Sequence, residues 1–92
     1  MQKFRKKPVV IEAVRFTTNN DPYNKVMNDI VIWINKDKSE KIAYHDNTSI
    51  FIKTPEGTWI ASVGDWIIKD GNEEFYLCRP EVFEKTYEAV SE

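Results

Sequence analysis

The 92-residue chain holds one cysteine, one histidine and three glycines, and each scarcity excludes something. With Cys78 alone there is no internal disulfide and no zinc site of the paired-cysteine kind. With His45 alone there is no multi-histidine metal centre, and no metal or cofactor is expected. Gly57, Gly64 and Gly71 stand apart at turns and form no glycine-rich phosphate loop. No apolar run approaches the ~20 residues that cross a bilayer. The N-terminus enters a basic segment without the apolar core of a signal peptide, so the expected location is the reducing cytoplasm in which the chain is made.

Thirteen basic against fifteen acidic side chains give a net charge of −2, which argues against nucleic acid as the main partner. The basic opening Lys3, Arg5, Lys6 and Lys7 is a local exception and reads as a solvated strand edge.

What is present is an ordinary globular composition, 41% hydrophobic and 30% charged, with three Trp, four Tyr and five Phe. Residues 1–92 are read as a single domain, with a core of modest size because a chain this short buries only about 60 to 65% of its unfolded surface. Lys7 to Thr17 reads as a strand covered on both faces and lying inside a sheet, interrupted by the charges Glu12 and Arg15. Asp21-Pro22 starts a helix running to Asn35, with Tyr23, Val26, Met27, Ile30, Val31 and Ile34 as its apolar stripe and Trp33 packed over its end. Strands follow over Lys41 to Asp46, Ser49 to Thr54, Trp59 to Ala61, Trp66 to Ile68 and Phe75 to Leu77. They are punctuated by Asp46-Asn47, Pro55-Glu56-Gly57, Val63-Gly64 and Asp70-Gly71. Pro80 opens a short helical turn carrying Val82 and Phe83, and Thr86 to Val90 reads as a closing edge strand. The expectation is an α+β fold: a strongly bent antiparallel meander, a partly closed barrel, with one amphipathic helix inserted after the first strand.

Catalytic constellations are weak. Cys78 closes an apolar strand and reads as a small buried residue rather than a nucleophile paired with His45. Asp65, after Gly64, reads first as the acceptor that fixes its turn, and Glu12, Glu74, Glu81 and Glu84 form no acid/base pair visible in the sequence. A binding site is easier to motivate. Tyr44, Trp59, Trp66 and Tyr76 offer flat faces, and Arg15, Lys53, Lys69 and Arg79 offer cations on neighbouring strands, a mixture that stacks a base and pairs a phosphate. The candidate ligand-binding set is Glu12, Arg15, Tyr44, Trp59, Asp65, Trp66, Lys69, Tyr76 and Arg79.

Three segments carry a resemblance over both ends of the chain: Arg5-Lys6-Lys7-Pro8-Val9-Val10-Ile11-Glu12-Ala13, Thr54-Pro55-Glu56-Gly57 with Gly64-Asp65-Trp66-Ile67-Ile68, and Glu74 to Glu88. Their order and spacing resemble a family of small tailed-phage and prophage proteins. The resemblance implies a phage origin, expression in a host bacterial cytoplasm and no established enzymatic activity. The resulting expectation is a non-enzymatic binding protein, a counter-defence factor that sequesters a small anionic, nucleotide-derived signal, with a homo-oligomer among the arrangements expected. The alternative is a protein-binding inhibitor of a host factor or an assembly accessory, and a small enzyme acting on nucleotides ranks below both.

Overall fold

The computed structural model describes Gln2 and residues 11–88. The basic opening, the first half of the expected first strand and the end of the expected closing strand lie outside the described residues. The fold is α+β; the described residues hold six strands, β1 (Glu12–Arg15), β2 (Ala43–His45), β3 (Ile50–Thr54), β4 (Gly57–Ala61), β5 (Trp66–Lys69) and β6 (Phe75–Cys78), and two helices, α1 (Lys25–Asn35) and α2 (Pro80–Thr86).

Among the described residues the strands form two antiparallel three-stranded sheets, β1-β5-β6 and β2-β3-β4, in place of one continuous meander, and no closed barrel is formed. The break falls between β4 and β5. There Gly64, at φ 101°, donates its N–H to the Phe16 carbonyl at 2.7 Å, and Phe16 donates to Asp65 O at 2.9 Å. These bonds lead β5 onto the end of β1, with Val14 opposite Ile67, instead of back onto β4. The central strand of this sheet is therefore β5, whose consecutive buried Ile67 and Ile68 mark a strand covered on both faces. Among the described residues β1 is an edge strand, contrary to the interior position expected for it, and its end residues Glu12 and Arg15 are both exposed.

The helix starts later than Pro22. Pro22–Asn24 form a 3-10 turn in which Tyr23 and Asn24 adopt left-handed backbone angles, φ 60° and 54°. Asn tolerates that region, and the turn lets the Asp21 carboxylate accept the Val26 N–H at 3.0 Å, satisfying one first-turn amide of α1. Tyr23 consequently points away from the core and is 96% exposed, so it leaves the predicted stripe. The rest of that stripe holds: Met27, Ile30 and Ile34 are buried, with Val26 and Val31 packed against them.

These three residues meet Ala43, Ile50, Ile52 and Ala61 from the inner face of β2-β3-β4, together with Phe16, Ile67 and Phe75 from the other sheet's side, in one core. Trp33 packs edge-on against Phe75, centroids 5.5 Å apart at 85°. Asn35 fastens the helix end to the sheet: its Oδ1 accepts the N–H groups of Ile42 and Ala43 at 2.9 and 3.0 Å, and its Nδ2 donates to Ala43 O at 2.9 Å. Past β6, Thr86 is the last residue of α2, and Tyr87 and Glu88 are not in a strand, so the described part of the expected closing strand is not one.

Candidate functional site

The two sheets leave a wedge between β4 and β6, and its wider end is a cleft of about 300 Å³. Ile42, Ile52 and Phe75 give it apolar walls, and Trp59 and Tyr76 contribute aromatic rings from the two facing strands. Their centroids lie 6.1 Å apart with planes inclined at 42°, an open angle rather than a closed stack. Two hairpin tips form the rim, Thr54-Pro55-Glu56 from one sheet and Glu73-Glu74 from the other, with Lys53 and Lys38 beside them.

Local chemistry sets both tips. Thr54 Oγ1 donates to Gly57 O at 2.7 Å, and Gly57 sits at φ 127°, a conformation that side chains rarely adopt. Across the cleft, Asp70 Oδ1 accepts the N–H groups of Asn72 and Glu74 at 2.9 Å each, which closes the β5–β6 turn. The Glu74 bond is the main reason the Asp70 carboxyl is held below its ordinary value of 3.8. Tyr76 donates its hydroxyl to Glu74 Oε2 at 2.7 Å, and that bond to a carboxylate, ahead of burial and Asp70, keeps the phenol protonated well above the usual tyrosine range. Lys38 donates to Glu73 O at 3.3 Å with its ammonium 5.5 Å from the Phe75 ring centre. The rim thus carries Lys38 and Lys53 against Glu56, Glu73 and Glu74, one more carboxylate than ammonium.

Of the nine residues singled out in the sequence, the cleft brings together Trp59 and Tyr76. Glu12 and Lys69 pair with each other at 4.0 Å across β1 and β5. Arg15 lies exposed opposite Trp66, whose indole stacks on Phe83 of α2 at 4.0 Å and 4°. The Trp66 Nε1 is buried with no partner among the described residues. Tyr44 stacks on Phe51 at 5.1 Å on the outer face of β2-β3-β4.

Asp65 and Arg79 border a second, smaller hollow of about 200 Å³ with Ile60, Leu77 and Cys78. Asp65 Oδ2 accepts the Ser62 N–H at 3.0 Å, the turn-fixing role expected of it. Burial, then the nearby charges of Glu81 and Asp65, raises the Cys78 thiol, the reverse of what a nucleophile needs. His45 is committed elsewhere, with Nδ1 2.7 Å from Asp46 O and Nε2 2.6 Å from Asn28 Oδ1.

Lys38, Glu56, Glu73 and Phe75 were not singled out for the site by the sequence. The first three come from loops and hairpin tips, where side-chain type says little about which other loop lies opposite, and Phe75 reads as plain core. Among the described residues no group of three or more metal-ligating side chains converges, and no helix is long and apolar enough to cross a membrane. Comparison with family models, with curated proteins and with solved structures finds no match for the chain.

Proposed function

We propose that the protein is a non-enzymatic binding protein that holds one small nucleotide-like ligand by its base in the cleft between the two sheets. The observation that carries this reading is the meeting of Trp59 and Tyr76 at an open angle over apolar walls, with Lys38 and Lys53 beside them. A flat ring gains about 1 to 3 kcal/mol from such an aromatic platform, and an ammonium at the rim pairs with a phosphate as a point charge. Glu56, Glu73 and Glu74 limit how much negative charge the mouth accepts, so the ligand class is a base bearing a single-charge phosphodiester, as in a cyclic nucleotide, rather than a triphosphate. His45, bonded to Asp46 O and Asn28 Oδ1, and the Cys78 thiol, which burial raises and which donates to Arg79 O, support binding without turnover.

The resemblance of Arg5 to Ala13, Gly64 to Ile68 and Glu74 to Glu88 to small phage proteins supports a biological setting: a counter-defence factor that sequesters a nucleotide-derived signal in the cytoplasm of an infected bacterium. Melting the protein with cyclic mononucleotides, cyclic dinucleotides and nucleoside triphosphates tests the binding claim. A ligand at many times its dissociation constant raises the melting temperature, by about 4 to 8 °C for each kcal/mol in a domain of this size. The expected result is a rise with a cyclic nucleotide, a smaller one with the triphosphate, and loss of the rise in Trp59→Ala. No shift with any member of the panel would remove the proposal.

A further inference from the structure

Among the described residues both strands that flank the wedge present an unpaired edge to it. β4 pairs with β3 on one side and β6 with β5 on one side, and no ladder joins β4 to β6. The phase of each ladder shows which main-chain groups face the gap. Lys53 donates to Ile42 O at 2.7 Å, which turns the alternate residues Ile50, Ile52 and Thr54 toward β4 and leaves the N–H and C=O groups of Thr58 and Ile60 pointing away from β3. In the other sheet Asp70 donates to Glu74 O at 3.0 Å, so Ile68 and Trp66 bond to Tyr76 and Cys78, and Phe75 and Leu77 point away from β5. Among the described residues no ladder takes up these outward-facing amides of Thr58, Ile60, Phe75 and Leu77, and no turn or loop carbonyl accepts them.

The two edges also run in the same direction. Trp59 meets Tyr76 at the cleft end, and one residue further along Ile60 borders the second hollow with Leu77 and Cys78. A single extended strand running opposite to both would therefore pair antiparallel on each side. We infer that the wedge is a docking slot for an extended peptide segment of a partner protein, which would join the two sheets into one seven-stranded sheet in the order β1-β5-β6-peptide-β4-β3-β2.

Main-chain pairing supplies affinity in such strand addition, and the side-chain surroundings select the sequence. The antiparallel direction places the peptide's C-terminal end at the hairpin tips, where Glu56, Glu73 and Glu74 outnumber Lys38 and Lys53, so the segment that fits carries a basic residue at that end. With β4 and β6 five and four residues long, about five residues of the segment would be held.

The peptide's C-terminal end and a base stacked on Trp59 would compete for the cleft end of the wedge, where the Trp59 and Tyr76 rings meet, so the test reads main-chain amides, which stacking alone would not protect. The probe is a capped hexapeptide, Thr-Val-Thr-Val-Thr-Lys, added to the full chain while amide hydrogen exchange is followed by NMR. The expected result is slowing of about tenfold or more at Thr58, Ile60, Phe75 and Leu77 together. Two further probes, N-methylated on one or the other alternate set of residues, are expected each to lose protection on a different strand. The inference is overturned if the hexapeptide protects neither strand, if it protects only one, or if the same four amides slow with rising protein concentration without peptide, which would assign the slot to a second copy of this chain.

Discussion

The half of the molecule built on β2-β3-β4 and the half built on β1-β5-β6 are held together differently. In the first, α1 lays Met27, Ile30 and Ile34 against Ala43, Ile50, Ile52 and Ala61, all buried, and Asn35 locks the helix end to β2 with three hydrogen bonds. In the second, α2 buries no residue fully, and its attachment to the sheet includes the face-to-face stack of Phe83 on Trp66, extended by Tyr87 at 5.0 Å from Phe83. An aliphatic interface gains from every contact across a close-packed surface, whereas a stack depends on one pair of rings. The first half therefore behaves as the platform of the domain, and the second as the wall that can yield beside the wedge.

Replacing one residue on each side sharpens this contrast, and gives the largest effect expected. Ile34→Ala, at a position with 1% exposure, should cost about 2 to 5 kcal/mol in urea unfolding, because a cavity is left where helix and sheet meet. Phe83→Ala should cost about 1 kcal/mol and should speed amide exchange in α2 while leaving α1 unchanged. Equal losses from the two variants, or α1 loosened by Phe83→Ala, would erase the distinction between the halves.

A smaller effect probes the turns, one from each half. Asp46 accepts the N–H groups of Thr48 and Ser49 at 2.7 Å each in the β2–β3 turn, and those two bonds hold its carboxyl below the ordinary value of 3.8. Asp70, in the β5–β6 turn, is lowered chiefly by the Glu74 N–H. A carboxyl whose folded value is depressed stabilises the fold above its unfolded value, and that contribution is lost as pH falls through the folded value. Acid titration of stability should therefore show a loss setting in below about 3.8, and Asp46→Asn and Asp70→Asn should each flatten that limb by lowering stability at neutral pH while leaving it little changed in acid. An unchanged acid limb in both variants would show that the turn carboxylates do not govern it.

Much of this was legible in local pattern. The spacing of Met27, Ile30 and Ile34 named the buried face of α1, and Pro55-Glu56-Gly57 and Asp70-Gly71 marked the hairpins that form the cleft rim. The pairing of β1 with β5 was not legible, because it joins residues more than fifty positions apart and nothing within Ser62 to Asp65 says whether the chain returns to β4 or crosses to β1. The continuous meander expected from alternation alone splits at that point.

The candidate site follows the same division. Trp59 and Tyr76 stood out as aromatics on strands and meet in the cleft. Arg15, Tyr44, Trp66, Lys69 and Arg79 had equal claim by residue type, but the registers of the two sheets carry them to other places. Sequence named the kinds of side chain, and strand pairing between distant segments decided which of them became neighbours.

The central claim is that, among the described residues, β4 and β6 face each other across a seam that no strand fills. Residue-by-residue amide exchange of the protein alone tests it most directly. The alternation predicted is fast exchange at Thr58, Ile60, Phe75 and Leu77, whose amides face the seam, and slow exchange at Trp59, Ala61, Tyr76 and Cys78, whose amides pair with β3 or β5. Uniformly slow exchange along both strands at low protein concentration would mean that the amides facing the seam are already paired, and would contradict the account.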